Sequence, residues 1–260
     1  MSFNPSEMFS LAGKTAVVIG GSGVLGGVFA RALGDAGARV AIVGRTPEKV
    51  EQSTQSLKEA GIEALGVAAD QSERSGVQKA CAAVVDAWGG VDILVNAPGI
   101  NSATPFFEIT DEEWDRIMNV NLKSMFLAAQ IFGAHMIERG QGGSIINISS
   151  ISSGPPLSRV FTYSVSKAGV NNLTQWLARE FAPHRIRVNA LIPGFFPAEQ
   201  NRKILSKERV EAIIRHTPMG RLGEPEELAG TVIWLASEKA SGFVTGALIK
   251  VDGGFSAMTI

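Results

Sequence analysis

Thr15-Ala-Val-Val-Ile19 runs directly into Gly20-Gly-Ser-Gly-Val-Leu-Gly26, and Phe29-Ala-Arg-Ala-Leu33 follows with helical spacing. A β-branched run, a glycine-rich turn and a helical pattern in that order predict a strand–turn–helix unit. Glycines in such a turn let the backbone approach a pyrophosphate, and the helix start offers free N–H groups and the positive end of its dipole. A turn that is only a tight connection would show the same glycines; its place between strand and helix favours nucleotide binding. Gly20, Ser22, Val24 and Leu25 are the candidate cradle.

Further apolar runs recur along the chain at Arg39-Val-Ala-Ile-Val43, Ala64-Leu-Gly-Val67, Asp92-Ile-Leu-Val95, Ser144-Ile-Ile-Asn-Ile148, Ile186-Arg-Val-Asn189 and Leu248-Ile-Lys-Val251. Most are apolar on both faces, and the segments between them are long enough for crossover helices. The fold class this predicts is α/β, a doubly wound parallel seven-stranded sheet of Rossmann type. No repeat, low-complexity tract or Gly/Ser linker marks a boundary, so residues 1–260 are expected to form one domain. Thr110-Asp-Glu-Glu113 has capping-box spacing and predicts one long helix through Trp114, Ile117, Met118 and Leu122. Its second half is apolar nearly all round, so it is either sandwiched inside the fold or pressed against another subunit, and the wet face normal for a crossover helix favours the interface.

Composition excludes several functions. Lys plus Arg number 24 against 25 Asp plus Glu, with no basic block, so nucleic acid is not expected as a partner. Cys81 is the only cysteine, which rules out an internal disulfide and fits a reducing compartment such as the cytoplasm. The N-terminal residues lack the basic start and apolar run of a secretory signal, and the greasiest stretch, Met125 to His135, is too short to span a bilayer. His135, His184 and His216 are scattered and suggest no metal site.

Chemistry is suggested by Tyr163-Ser-Val-Ser-Lys167, which puts a phenol and an ammonium on one helical face. A tyrosine has a pKa near ~10, so its phenolate at neutral pH needs a fall of about three units, or roughly 4 kcal/mol of preferential stabilisation. A fixed lysine charge is expected to supply much of it. Such a pair is common by chance; what distinguishes this one is the company of the glycine turn, Asn147-Ile-Ser-Ser150 upstream and Asn189-Ala-Leu-Ile-Pro-Gly194 downstream.

With these motifs the chain resembles the short-chain dehydrogenase/reductase family. Its turn departs from the usual Thr-Gly-x-x-x-Gly-x-Gly, since Ile19 replaces the threonine and Val24 the middle glycine, while Gly20 and Gly26 keep their places. Ser150 lies thirteen residues before Tyr163, the family's common spacing. The resemblance implies Asn121, Ser150, Tyr163 and Lys167 as the catalytic set. Ser150 would hold the substrate oxygen, Tyr163 act as acid/base, Lys167 lower its pKa and bind the nicotinamide ribose, and Asn121 hold a water in a proton relay. Taken singly, Ser150 reads equally well as a strand-end cap and Asn121 as a helix-interior polar residue.

For the cofactor, the second strand ends in Gly44-Arg45, where many NAD-dependent members carry an aspartate; Arg45 there suits a 2′-phosphate, unless it is merely solvated. NADP is therefore preferred, with NAD as the alternative. Asp70, with Gln71 beside it, resembles the aspartate that reads the adenine amino group, and as a helix cap it would look the same. Asn96, in Asn96-Ala-Pro-Gly99, is expected to buttress the sheet centre and the cofactor. Pro193 and Gly194, with Phe196 after them, resemble the loop lining the nicotinamide. Many members carry a threonine where this chain has Ala198.

Downstream, Phe195-Phe-Pro-Ala-Glu-Gln-Asn-Arg202 resembles the sugar-acid branch, D-mannonate/fructuronate oxidoreductases and gluconate 5-dehydrogenases. A polyhydroxy carboxylate needs a cation and several hydrogen-bonding partners, and Asn101, Ser152, Arg159, Gln200, Asn201 and Arg202 are candidates, against the alternative of surface arginines. Residues 195–225 are expected to form a substrate-side lid. The resemblance also implies a homotetramer. The other readings are a 3-oxoacyl-thioester reductase, which would need a basic patch that the sequence does not display, and a nucleotide-binding regulatory protein without turnover, which would have no need of the Tyr163 set.

Overall fold

All seven apolar runs form strands in the computed structural model, which describes residues 4–155, 157–196 and 206–258. The strands are β1 (Thr15–Ile19), β2 (Arg39–Gly44), β3 (Ala64–Ala68), β4 (Ile93–Asn96), β5 (Gly143–Ile148), β6 (Ile186–Pro193) and β7 (Leu248–Val251). They lie in one sheet in the order β3-β2-β1-β4-β5-β6-β7, every pairing parallel. The order reverses between β1 and β4, the crevice where doubly wound sheets bind ligands. β6 runs four residues beyond the expected end at Asn189, delivering Pro193 to the same rim as β1 and β5.

The helices are α1 (Pro5–Met8), α2 (Val24–Asp35), α3 (Pro47–Glu59), α4 (Arg74–Trp88), α5 (Asp111–Met118), α6 (Ser124–Arg139), α7 (Phe161–Phe181), α8 (Lys207–His216), α9 (Ala229–Ala236) and α10 (Glu238–Ser241). Apolar side chains from alternate positions of each central strand build a core on either face. On one face, Val18, Ile42, Val95 and Ile146 pack against Phe29 and Leu33 of α2 and Val232 and Leu235 of α9. On the other, Val17, Leu94 and Ile145 pack against Val84 of α4, Phe132 and Met136 of α6 and Phe181 of α7.

The single long helix expected after Thr110 is instead α5 and α6 joined by a π-helical turn at Asn119–Lys123. Thr110 caps α5 by accepting from the Glu113 N–H at 3.2 Å, but the reciprocal half of the capping box is missing, because the Glu113 carboxylate takes the Thr104 hydroxyl at 2.7 Å. The extra residue in the π turn re-aims the chain at Asn121, which tertiary contacts and not periodicity dictate. α6 buries Met125, Leu127, Ala128, Phe132 and Met136, so most of its apolar surface is core; Phe126 is left 40% exposed. No helix among the described residues is long and apolar enough to cross a membrane.

Candidate active site

The C-terminal ends of the strands enclose a cavity of about 610 Å³, within the usual range for small-molecule sites. Its nucleotide end is shaped by backbone. Gly20 has φ +78°, and a Cβ there would lie 3.0 Å from the Ala97 carbonyl group, so the turn and the end of β4 touch through glycine alone. At Gly26 a Cβ would overlap the Gly20 carbonyl, which fixes α2 against the turn. At Gly44 the approach is to side chains: a Cβ there would meet the Ser22 hydroxyl at 2.6 Å and a Val50 methyl at 3.0 Å, so a larger residue would require Ser22 to turn away.

Arg45 lines the cavity beside Gly44, as expected, and Lys49 from the first turn of α3 joins it; the sequence reading missed Lys49. Its signal was its position one helical turn beyond Arg45, on a helix started by Pro47. Gln71 also lines the cavity, and its Oε1 is buried without a hydrogen-bond partner among the described residues. A buried amide oxygen in that state calls for a donor. Asp70 lies outside the cavity lining and turns its carboxylate to Ser72, accepting from its N–H at 2.9 Å and its hydroxyl at 2.6 Å. Gln71 thus faces the cavity, while Asp70 shapes the turn through Oδ1, the capping role that is its alternative reading. A glycine cradle, two cations and a donor-seeking amide fit a phosphorylated dinucleotide.

Asn96 occupies the sheet centre but not the cavity wall. It is fully buried, donates to Asn147 Oδ1 at 2.8 Å, and Asn147 donates to Thr174 Oγ1 of α7 at 3.0 Å. This chain of amides ties β4 and β5 to α7, the buttressing part expected of Asn96, and leaves its Oδ1 buried without a partner among the described residues.

Ser150, Tyr163 and Lys167 converge at the other end. Ser149 at the end of β5 turns its hydroxyl to the Lys167 carbonyl at 3.1 Å, leaving Ser150 to hydrogen-bond the Tyr163 phenol. Ser150 also accepts from the Ser152 N–H at 3.3 Å, so the cap reading holds alongside. Lys167 is 2% exposed and donates to the carbonyls of Ile148 at 2.8 Å and Pro98 at 3.4 Å, with Nζ 5.8 Å from the Tyr163 ring centre.

Burial overrides the expected electrostatics. The Tyr163 pKa is raised, because desolvation outweighs the Ser150 hydrogen bond that pulls it down. Desolvation also lowers Lys167 to about 7. The anticipated lysine-driven depression of the phenol is therefore not what these side chains produce: both groups are held toward their neutral forms.

Asn121 is fully buried in the π turn. Its Oδ1 accepts from the Ile100 N–H at 2.8 Å, and its Nδ2 donates to the Ile100 carbonyl at 2.9 Å and to Ser166 Oγ at 3.0 Å. Both amide protons are committed to protein, so the side chain clamps the loop after β4 onto α7 and does not hold a water through Nδ2.

Gly20, Ser22, Val24, Leu25, Pro193, Gly194 and Phe196 line the cavity as expected, and so do Asn101, Ser152 and Arg159. Gln200, Asn201 and Arg202, with Ala198 and part of the expected lid, lie outside the described residues. Arg209 of α8 also lines the cavity and was not anticipated. No cluster of His, Cys, Asp or Glu able to hold a metal occurs among the described residues.

Comparison with known proteins agrees with this geometry. A family model described as Enoyl-(Acyl carrier protein) reductase matches residues 22–256. The 5-keto-D-gluconate 5-reductase of Escherichia coli strain K12 is 35% identical, over 96% of this chain and 98% of its own length. The 3beta-hydroxysteroid dehydrogenase 1 of Eggerthella lenta is 40% identical over 95% of each chain. Among solved structures, a gluconate 5-dehydrogenase from Burkholderia cenocepacia J2315 in complex with NADP and tartrate superposes with a TM-score of 0.94 at 34% identity, covering 98% of this chain and 100% of that one. This chain is an NAD(P)-dependent oxidoreductase and belongs to the short-chain dehydrogenase/reductase family.

Proposed function

We propose that this enzyme reduces the keto group of a sugar acid, reversibly and with NADP(H), in the class of 5-keto-gluconate/gluconate or fructuronate/mannonate. The observation that carries the reading is the charge of the cavity: Arg45, Lys49, Arg159 and Arg209 line it, and no Asp or Glu stands among the described lining residues. Such a lining favours ligands anionic at both ends.

At the nucleotide end, Gly20, Ser22, Val24 and Leu25 would hold the pyrophosphate, Arg45 and Lys49 the 2′-phosphate, and Gln71 the adenine amino group through its unpaired Oε1. Pro193, Gly194 and Phe196 would flank the nicotinamide. The bound cofactor supplies the hydride. Among the chain's own groups, Ser150 orients the substrate carbonyl by hydrogen bonding, and Tyr163 donates the proton that completes the alcohol. A phenol kept protonated by burial suits that reductive direction. Lys167, anchored to Ile148 and Pro98, fixes the floor beneath Tyr163, and Asn121 positions α7 through Ser166.

A panel of 5-keto-D-gluconate, fructuronate and simple hydrophobic ketones, each with NADPH and NADH, tests this. Preference for keto acids with NADPH is expected; turnover of hydrophobic ketones without keto acids would overturn it. The second outcome has its own support in Ile151, Leu157 and Val160 on the cavity wall and in the hydroxysteroid dehydrogenase relative. We also infer one domain and a homotetramer, supported by the exposure of Phe126 on α6 and Trp176 on α7. A monomer in sedimentation would contradict the assembly.

A further inference from the structure

Two arginines at the substrate end have a geometry the proton chemistry does not require. Arg159 has φ +68°, a left-handed backbone disfavoured for any residue with a Cβ. Among the described residues Arg185 is the only other non-glycine case, and there the left-handed conformation closes the 3-10 turn Ala182–His184, with the Arg185 N–H donating to the Ala182 carbonyl. Arg159 closes no helix end; among the described residues its guanidinium has no hydrogen-bond or ion-pair partner, and it lines the cavity.

The turn that carries it is gripped from a distance. Arg209 of α8 donates through Nη1 to Ser158 Oγ at 2.8 Å and through Nη2 to the Ser158 carbonyl at 2.9 Å, a bidentate contact between residues 51 apart. An unfavourable backbone persists only where its surroundings over-determine it. Here the restraint acts on the residue next to a free cation, in a cavity without an acid among its described lining residues. Arg159 itself is exposed, so what is fixed is the backbone that aims it, and its free guanidinium fork matches the planar geometry of a carboxylate.

We infer that Arg159 binds the substrate's carboxylate and that Arg209 is a positioning residue which fixes the Ser158–Arg159 turn for it. The inference rests on the sugar-acid reading and deepens it. Selectivity then comes from a carboxylate remote from the reacting carbonyl, and an uncharged ketose of the same shape is a poor substrate.

The test compares kcat/KM for 5-keto-D-gluconate with that for its methyl ester, which keeps the shape and removes the charge. Wild type is expected to prefer the acid. Arg159→Gln should cut the acid-to-ester ratio on the order of 10- to 100-fold, mostly through KM, as expected for loss of a charge-assisted pair. Arg159→Gly relaxes the backbone and should cut the ratio as much, which separates charge from strain. Arg209→Ala should lower the ratio by about tenfold, through KM for the acid and with little change in kcat/KM for the ester, and Arg209→Lys should restore part of it. A ratio unmoved by Arg159→Gln, or a loss shared equally by acid and ester, would overturn the inference. If wild type reduces no keto acid, the sugar-acid reading fails, and inhibition of whatever carbonyl it does reduce by gluconate decides the anion site. Inhibition weakened by Arg159→Gln upholds the site, and inhibition indifferent to it removes the site.

Discussion

The two ends of the cavity are built differently. At the nucleotide end, Gly20, Gly26 and Gly44 place backbone against backbone or against Ser22, and the cations Arg45 and Lys49 come from the adjoining strand end and helix start. At the substrate end the wall is assembled from distant segments, with Ser150 after β5, Tyr163 and Lys167 on α7, and Arg209 reaching Ser158 from α8. The first end follows from local turn chemistry. The second depends on how helices dock, and its electrostatics depend on how deeply they bury what they carry.

The largest expected effect separates the ends outright. Tyr163→Phe removes the proton donor and should lower kcat by on the order of 100- to 10,000-fold, while NADPH affinity measured by fluorescence titration stays near wild type. Loss of both together would mean the two ends are not separable.

Lys167 sharpens the contrast through stability. Burial lowers its pKa from 10.5 to about 7, so between those values the unfolded chain holds a proton that the folded chain does not, and this group makes stability rise with pH. The penalty for the charged form is complete below pH 7 and gone above 10.5. Lys167→Met abolishes that slope, so wild type should gain on the variant by up to about 5 kcal/mol across the window. Denaturant titrations of both proteins at several pH values check it; parallel curves would show that Lys167 is not desolvated.

The nucleotide end responds next. Arg45→Ala with Lys49→Ala should weaken NADPH binding about tenfold or more, as expected for charge-assisted contacts of about 1.5–3 kcal/mol, with NADH affected far less. Equal losses for the two cofactors would show that the cations do not read the 2′-phosphate. The smallest effect belongs to the sheet centre between the ends. Thr174→Val leaves the Asn147 donor without its partner and should cost about 1–3 kcal/mol of unfolding free energy with cofactor preference intact.

This division also explains what the sequence made legible. Period and composition located all seven strands, the glycine turn stood out between strand and helix, and Tyr163 and Lys167 stood out by their four-residue spacing, whereas Arg45 and Ser150 were singled out by the resemblance to the family. The π turn at Asn119–Lys123 could not be read, because it answers to the clamp between Asn121, Ile100 and Ser166. Whether Asp70 caps the turn or faces the cavity was open in the sequence, because the turn after β3 decides it. The pairing of Tyr163 with Lys167 was evident from four-residue spacing; the sign of the phenol's shift was not, because desolvation is a property of packing. Arg209 had no local signal, since its partner is 51 residues away.

The central claim is that the Tyr163 phenol itself passes the proton. Its most direct test is the pH dependence of single-turnover reduction of 5-keto-D-gluconate by NADPH in wild type and Tyr163→Phe. Wild type should lose rate with rising pH as the phenol ionises, and the slow residual reaction of the variant should lack that ionisation. The same pH profile in both proteins would contradict the account.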